Sequence, residues 1–260
     1  MAAMTTTPII ALDTPTLADA LALVDRIGPR CSFYKVGSEL FTAEGPRAVQ
    51  EIVGRGIDVF LDLKFHDIPN TVASAVRRAA TLGARLVTIH AVGGETMTRA
   101  AVAAAREHEC RILAVTVLTS LDDAELGRAW GRPDRPKTRD EVLRLAELAA
   151  MAGAYGVVCS GQEVAAVRER FGESLAALVP GVRLLGDAAH DQARVVTPSA
   201  AAARGARYIV LGRTVSAAAE PEVAMDRVLA ELTSVSSDGV PKLAGNEEHR
   251  DRNGDAGARN

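Results

Sequence analysis

Asp62, Lys64 and Asp67 place two carboxylates and one ammonium inside a single short stretch, FLDLKFHDIPNT at 60–71. The residues before them, Val59, Phe60, Leu61 and Leu63, are apolar and suit a buried strand. Pro69 stops the extended run, and an apolar-periodic helix is expected from about Val72. Three charges at the end of a buried strand cost desolvation energy, which a chain accepts mainly where the charges do chemistry. Lys35 interrupts a second apolar run, FYKVG at 33–37, and Asp13 ends a third, IIALD. Fixed carboxylates would repel an acidic substrate group, and a lysine beside them could deliver a proton. A different set lies late in the chain: Pro180-Gly181-Val182-Arg183 and Gly212-Arg213. Glycine admits close backbone approach to anionic oxygens, and arginine offers a forked cation, so this set suits phosphate.

The elements that must position these residues alternate. Strands are expected at Ile9–Asp13, Phe33–Gly37, Val59–Leu63, Arg85–His90, Arg111–Val117, Tyr155–Cys159, Leu175–Pro180 and Arg207–Leu211. Helical periodicity separates them, including one helix expected over Glu39–Val53 and an irregular stretch over Asp122–Lys137 with a helical turn at Asp123–Arg128. Eight strand–helix units point to an α/β fold, a single-domain (β/α)8 TIM barrel over 9–232. An open doubly wound sheet is the alternative, but Leu12-Asp13-Thr14-Pro15 carries no glycine fingerprint after the first strand. Residues 1–8 are expected to be a flexible N-terminus. The polar, aperiodic stretch 233–260 is expected to be a disordered tail.

In a barrel, the strand C-termini share one rim. Asp13, Lys35, Asp62, Lys64, Asp67, His90, Thr119, Ser160, Gly181, Arg183, Gly212 and Arg213 would all meet there. Plainer readings exist for single members. Asp62 and Lys64 could be a structural ion pair, and Asp13 could cap a helix ahead of Pro15. Thr119 and Ser120 could also be caps, His90 could be a hydrogen-bonded core residue, and Gly212-Arg213 could be a surface turn.

Composition narrows the partners. With 48% hydrophobic residues the chain can bury a full core, and at 3% aromatics that core must be aliphatic. A net charge of −3 gives no electrostatic case for nucleic acid or an anionic membrane. Cys31, Cys110 and Cys159 form no metal-ligand or disulfide pattern and read as small buried hydrophobes, which fits a reducing cytosol. The opening MAAMTTTP has neither the basic nor the apolar region of a signal peptide, so a cytoplasmic location is expected.

The motif DLKFHDIPNT at 62–71 resembles the signature of the orotidine 5'-monophosphate decarboxylase family. ALD ending at Asp13, YKVG around Lys35, TIHAVGG around His90, AVTVLTS ending at Ser120, VVCS ending at Ser160, LVPGVR ending at Arg183 and IVLGR ending at Arg213 are similar in the same order. The resemblance implies a barrel that converts orotidine 5'-monophosphate to UMP and CO2, with no metal and no organic cofactor. It implies Lys64 as proton donor, Asp62 beside the departing carboxylate, and Lys35 and Asp67 completing the charge array. Asp13 and Lys35 would hold the ribose and Thr119 the pyrimidine. Arg183, Gln192, Gly212 and Arg213 would hold the phosphate, with Gln192 chosen because it precedes ARVVTP. A homodimer is implied, with Asp67, and with it Ile68 and Thr71, reaching the neighbouring subunit's site. Two rivals are a Mg²⁺-dependent sugar-phosphate enzyme with a DxKxxD motif and a non-catalytic nucleotide sensor. Lys35 close to the metal position disfavours the first, and the intact Asp62/Lys64/Asp67 set disfavours the second.

Overall fold

The computed structural model describes residues 5–132, 137–185 and 196–237. Eight parallel strands close into a barrel in sequence order, β1 through β8, with β1 pairing β8. They are β1 Thr7–Ala11, β2 Phe33–Gly37, β3 Asp58–Phe65, β4 Ala84–His90, β5 Arg111–Val115, β6 Gly156–Val158, β7 Ala176–Val182 and β8 Tyr208–Leu211. Helices α1 (Leu17–Ile27), α2 (Ser38–Glu44), α3 (Pro46–Val53), α4 (Pro69–Thr81), α5 (Gly94–Arg106), α6 (Asp123–Ala129), α7 (Thr138–Met151), α8 (Val164–Phe171), α9 (Pro198–Ala203), α10 (Arg213–Ser216) and α11 (Pro221–Ser237) follow the strands in order. No helix among the described residues is long and apolar enough to cross a membrane.

Strand period two divides the core. Ile10, Leu12, Tyr34, Val36, Val59, Leu61, Val87 and Ile89 pack outward with the helices. Ile9, Ala11, Phe33, Phe60, Leu86, Leu113, Val115, Val158, Leu178, Tyr208 and Val210 fill the barrel interior. The few aromatics close its base. The Tyr155 and Tyr208 hydroxyls lie 3.1 Å apart, Phe33 meets Tyr208 edge-on, and Arg111 covers the Tyr155 ring. On β2 and β3 the next inward positions above Phe33 and Phe60 are Lys35 and Asp62, so the charges form the layer directly above an apolar floor.

Four local expectations are corrected. The helix expected over Glu39–Val53 is two helices, because Gly45 at φ +62 followed by Pro46 ends α2 and begins α3. The N-terminal stretch expected to be flexible through residue 8 is ordered earlier. The Thr7 N–H donates to the Arg207 carbonyl at 3.0 Å, and Pro8 pairs beside Ile209. Pro8 is tolerated because its nitrogen faces β2, where pairing begins only at Ile10. The last helix runs to Ser237 instead of Leu232, since no glycine or proline intervenes and polarity alone does not stop a helix. The rest of the expected tail, from 238 on, lies outside the described residues. Finally, β7 extends through Pro180 and Gly181 to Val182, with a register shift between Val179 and Val182 against β8.

Close strand packing makes a stability prediction. A Cβ at Gly156 would lie 2.3 Å from the Ala176 carbonyl oxygen and 2.9 Å from Leu113 Cδ2. The obstacle is backbone in a closed barrel and cannot swing aside. Gly156→Ala is expected to destabilise the protein by about 1–3 kcal/mol. The readout is a lower urea midpoint with an unchanged slope.

Candidate active site

A cavity of about 330 Å³ opens at the C-terminal ends of the strands. Asp13, Lys35, Asp62, Lys64, Thr119, Pro180, Gly181, Arg183, Gly212 and Arg213 line it, above Ala11, Phe60, Val115, Val158, Leu178 and Val210. Apart from Asp67, both sets of residues singled out in the sequence therefore share one chamber with an apolar floor.

The charges form a chain of alternating sign. Lys35 Nζ donates to Asp13 Oδ1 at 2.8 Å and lies 4.0 Å from Asp62 Oδ2. Lys64 Nζ donates to Asp62 Oδ1 at 2.9 Å. Lys35 is buried and Asp62 nearly so, while Lys64 and Asp13 are open to the cavity mouth. In this setting each ion is stabilised by its neighbours and removing one leaves another uncompensated. The pair is thus not merely a clamp on the barrel end, since both partners face an open chamber. Gly37 makes room for the network: a Cβ there would sit 2.6 Å from Lys35 Nζ and 3.0 Å from Asp13 Oδ1. The cap of α1 is Thr16, not Asp13, and the cap of α6 is Asp122, not Thr119 or Ser120. Asp13 and Thr119 are left to face the cavity.

The end of β3 is irregular, and the irregularity aims the charges. Leu61 pairs with Val87 and Phe65 with Ile89, so Asp62, Leu63 and Lys64 oppose the single residue Thr88. Lys64 sits at φ +52, the only positive φ among described non-glycine residues. That conformation costs on the order of 1–3 kcal/mol in a lysine. The strain is held by Thr88, which is fully buried and whose hydroxyl accepts the Lys64 backbone N–H and donates to Asp62 Oδ1, both at 2.9 Å. Sequence reasoning missed Thr88. Its signal was the alternation in RLVTIH, where Thr88 follows Leu86 on the inward face, but a threonine in a strand is otherwise unremarked.

The anion half is built by backbone form. Gly181 at φ +71 lies in the β7 register shift, in a conformation that glycine adopts readily. Arg183 is buried, and its Nη1 lies 3.3 Å from the Val182 carbonyl and 3.5 Å from Thr214 Oγ1. At Gly212, on the cavity wall beside Arg213, no atom of the described residues would lie within 4 Å of an added Cβ, so the wall leaves room there for a ligand.

Several expected members stand elsewhere. Asp67, Ile68 and Thr71 do not line the cavity; Asp67 Oδ1 accepts the Ile68 N–H at 2.6 Å, and the Ile68 side chain is 67% exposed. Ser160 points to Glu163, which accepts from both its hydroxyl and its backbone N–H. His90 stands beside exposed His66, with ring centroids 5.6 Å apart. Burial, then the neighbouring His66 and Lys64 charges, hold its pKa below the usual histidine value against the opposing pull of Asp62. Gln192 lies outside the described residues. The three cysteines are free and buried, and burial pushes the Cys31 and Cys110 thiols up to about 11, which disfavours a thiolate nucleophile.

Fold and chamber together define a (β/α)8-barrel enzyme whose site lies on the strand C-terminal face. Residues 6–228 match the family described as Orotidine 5'-phosphate decarboxylase / HUMPS family. The chain is 52% identical over 231 residues to the orotidine 5'-phosphate decarboxylase of Alkalilimnicola ehrlichii, covering 87% of this chain and 96% of that one. It is 49% identical to the orotidine 5'-phosphate decarboxylase of Halorhodospira halophila, covering 87% of this chain and 95% of that one. The crystal structure of orotidine 5'-phosphate decarboxylase from Lactobacillus acidophilus superposes with a TM-score of 0.76 at 32% identity, over 88% of this chain and 99% of that one. The chain belongs to the orotidine 5'-phosphate decarboxylase / HUMPS family.

Proposed function

We infer that this barrel converts orotidine 5'-monophosphate to UMP and CO2, the last step of UMP synthesis. The observation that carries the reading is the joining of the Asp13–Lys35–Asp62–Lys64 array and the Arg183/Arg213 wall in one cavity. The substrate has two anionic ends of unlike fate. Its phosphate is retained and suits the arginines; its carboxylate departs and would sit beside Asp62. In this reading Asp13 and Lys35 hold the ribose hydroxyls and Thr119 the pyrimidine, with Gln192 a further phosphate ligand.

In this reading the bond from the ring carbon to the carboxylate breaks and its electron pair stays on the ring carbon. Little delocalisation is open to that pair, so the uncatalysed step is very slow. Asp62 raises the energy of the bound carboxylate, and the Lys64 ammonium stabilises the developing carbanion before donating its proton to the same carbon. Solvent then reprotonates the Lys64 amine. The step balances without a nucleophile, an oxidant or a metal. The test is the absorbance change of orotidine 5'-monophosphate on incubation with the purified chain. Turnover that is unaffected by EDTA is expected, and no turnover would sink the reading.

The reading extends to a homodimer in the cytoplasm. Asp67 does not line the cavity of its own chain, and Ile68 and Val92 expose apolar side chains on the segments after β3 and β4. Such a face suits a second copy that receives Asp67, with Ile68 and Thr71, into its site. Mixing inactive Lys64→Ala and Asp67→Asn variants then regenerates intact sites. With random reassociation half the dimers are hybrids and each holds one intact site, so about a quarter of wild-type activity should return. Recovery would be absent if both residues served the same subunit's site.

A further inference from the structure

Three residues of β3 oppose one residue of β4, and that residue carries a hydroxyl. The Lys64 N–H donates to Thr88 Oγ1, Thr88 Oγ1 donates to Asp62 Oδ1, and Lys64 Nζ donates to the same Oδ1, each at 2.9 Å. The result is a closed ring in which one hydroxyl ties the backbone of Lys64 to the carboxylate that its own ammonium contacts. Only a group that both donates and accepts can occupy that position. Thr88 is fully buried, so water cannot easily substitute for it. The ring also spans the one described non-glycine residue with positive φ.

We propose that Thr88 is a positioning residue for decarboxylation, whose hydroxyl holds the left-handed backbone of Lys64 and the Asp62 carboxylate in register. The proposal rests on the roles of Asp62 and Lys64 given above. Thr88 touches neither substrate end in that reading; it acts through the two charges. When the hydroxyl is lost, the Lys64 N–H loses its acceptor and Asp62 Oδ1 loses one of two donors. The ammonium then drifts relative to the reacting carbon while the phosphate wall is untouched.

The test compares Thr88→Val, which keeps shape and strand preference, with Thr88→Ser, which keeps the hydroxyl. Thr88→Val should lower kcat by about 10–100-fold, the scale of a misplacement near 1 Å. Its KM for orotidine 5'-monophosphate and its calorimetric Kd for UMP should stay within about threefold of wild type. Thr88→Ser should recover kcat to within about threefold of wild type. A purely structural role would instead lower the melting temperature and the fraction of UMP-binding sites while kcat per binding site stayed at the wild-type value. That result, or Thr88→Ser as defective as Thr88→Val, overturns the proposal. If Thr88→Val does not fold, Thr88→Cys takes its place, because a thiol is a weak donor. A kcat about tenfold or more below Thr88→Ser supports the proposal, and equality overturns it. Wild type that fails to turn over the substrate overturns the underlying reading and this proposal with it. Active wild type with an unimpaired Thr88→Val overturns this proposal alone.

Discussion

Lys64→Ala is expected to lower kcat for orotidine 5'-monophosphate by about 10⁴-fold or more while leaving the barrel folded. The substitution removes two contributions at once. One is the cation that faces the reacting carbon in a cavity with an apolar floor, and the other is the proton that replaces CO2. Alone, a positioned acid contributes about 10²–10⁴-fold and a preorganised charge about 10²–10³-fold. The fold should survive because Asp62 keeps the Thr88 hydroxyl and keeps Lys35 4.0 Å from its Oδ2. Lys64 is also partly exposed, so truncation opens little buried space. Alanine at φ +52 bears the same Cβ strain as lysine and no more. Circular dichroism and UMP binding check the fold, and single-turnover kinetics check the chemistry. Turnover within tenfold of wild type would show that another group protonates the ring carbon.

Arg213→Ala should lower kcat/KM for the same substrate by about 10²–10³-fold, which corresponds to losing a forked pair of charge-assisted hydrogen bonds to phosphate. Arg213 starts α10 at the cavity wall, next to a glycine whose missing side chain leaves room there. The effect has a chemical signature. Orotidine, which lacks the phosphate, should be processed equally poorly by wild type and Arg213→Ala, whereas Lys64→Ala should be defective on both substrates. Remote binding energy is thus separated from the reacting centre. Equal losses on orotidine and its phosphate would place Arg213 outside the phosphate site.

Most of this architecture is legible in the chain itself. Short, nearly continuous apolar runs located all eight strands, and their alternation with helical periodicity selected the barrel. Charges inside apolar runs marked the site, because Lys35 and Asp62 would be costly anywhere but at a cavity. Chain order then placed Arg183 and Arg213 on the same rim. Residue type carried this much, since the cost of burying a lysine or carboxylate does not depend on knowing its neighbours.

What tertiary structure decided is pairing across strands. Nothing local in LDLKF says that three of its residues face one residue of β4, because register is a property of two strands at once. Thr88 was invisible for the same reason. Its hydroxyl is unremarkable until the bulge leaves a backbone N–H and a carboxylate facing it. Asp67 belongs with Asp62 and Lys64 by spacing, yet it does not line their cavity and its carboxylate accepts the Ile68 N–H at the turn into α4. Sequence spacing measures distance along the chain. Only the closed barrel converts it into which charges share a chamber and which face outward, because hydrogen-bond register and loop direction are set by contacts between segments far apart in sequence.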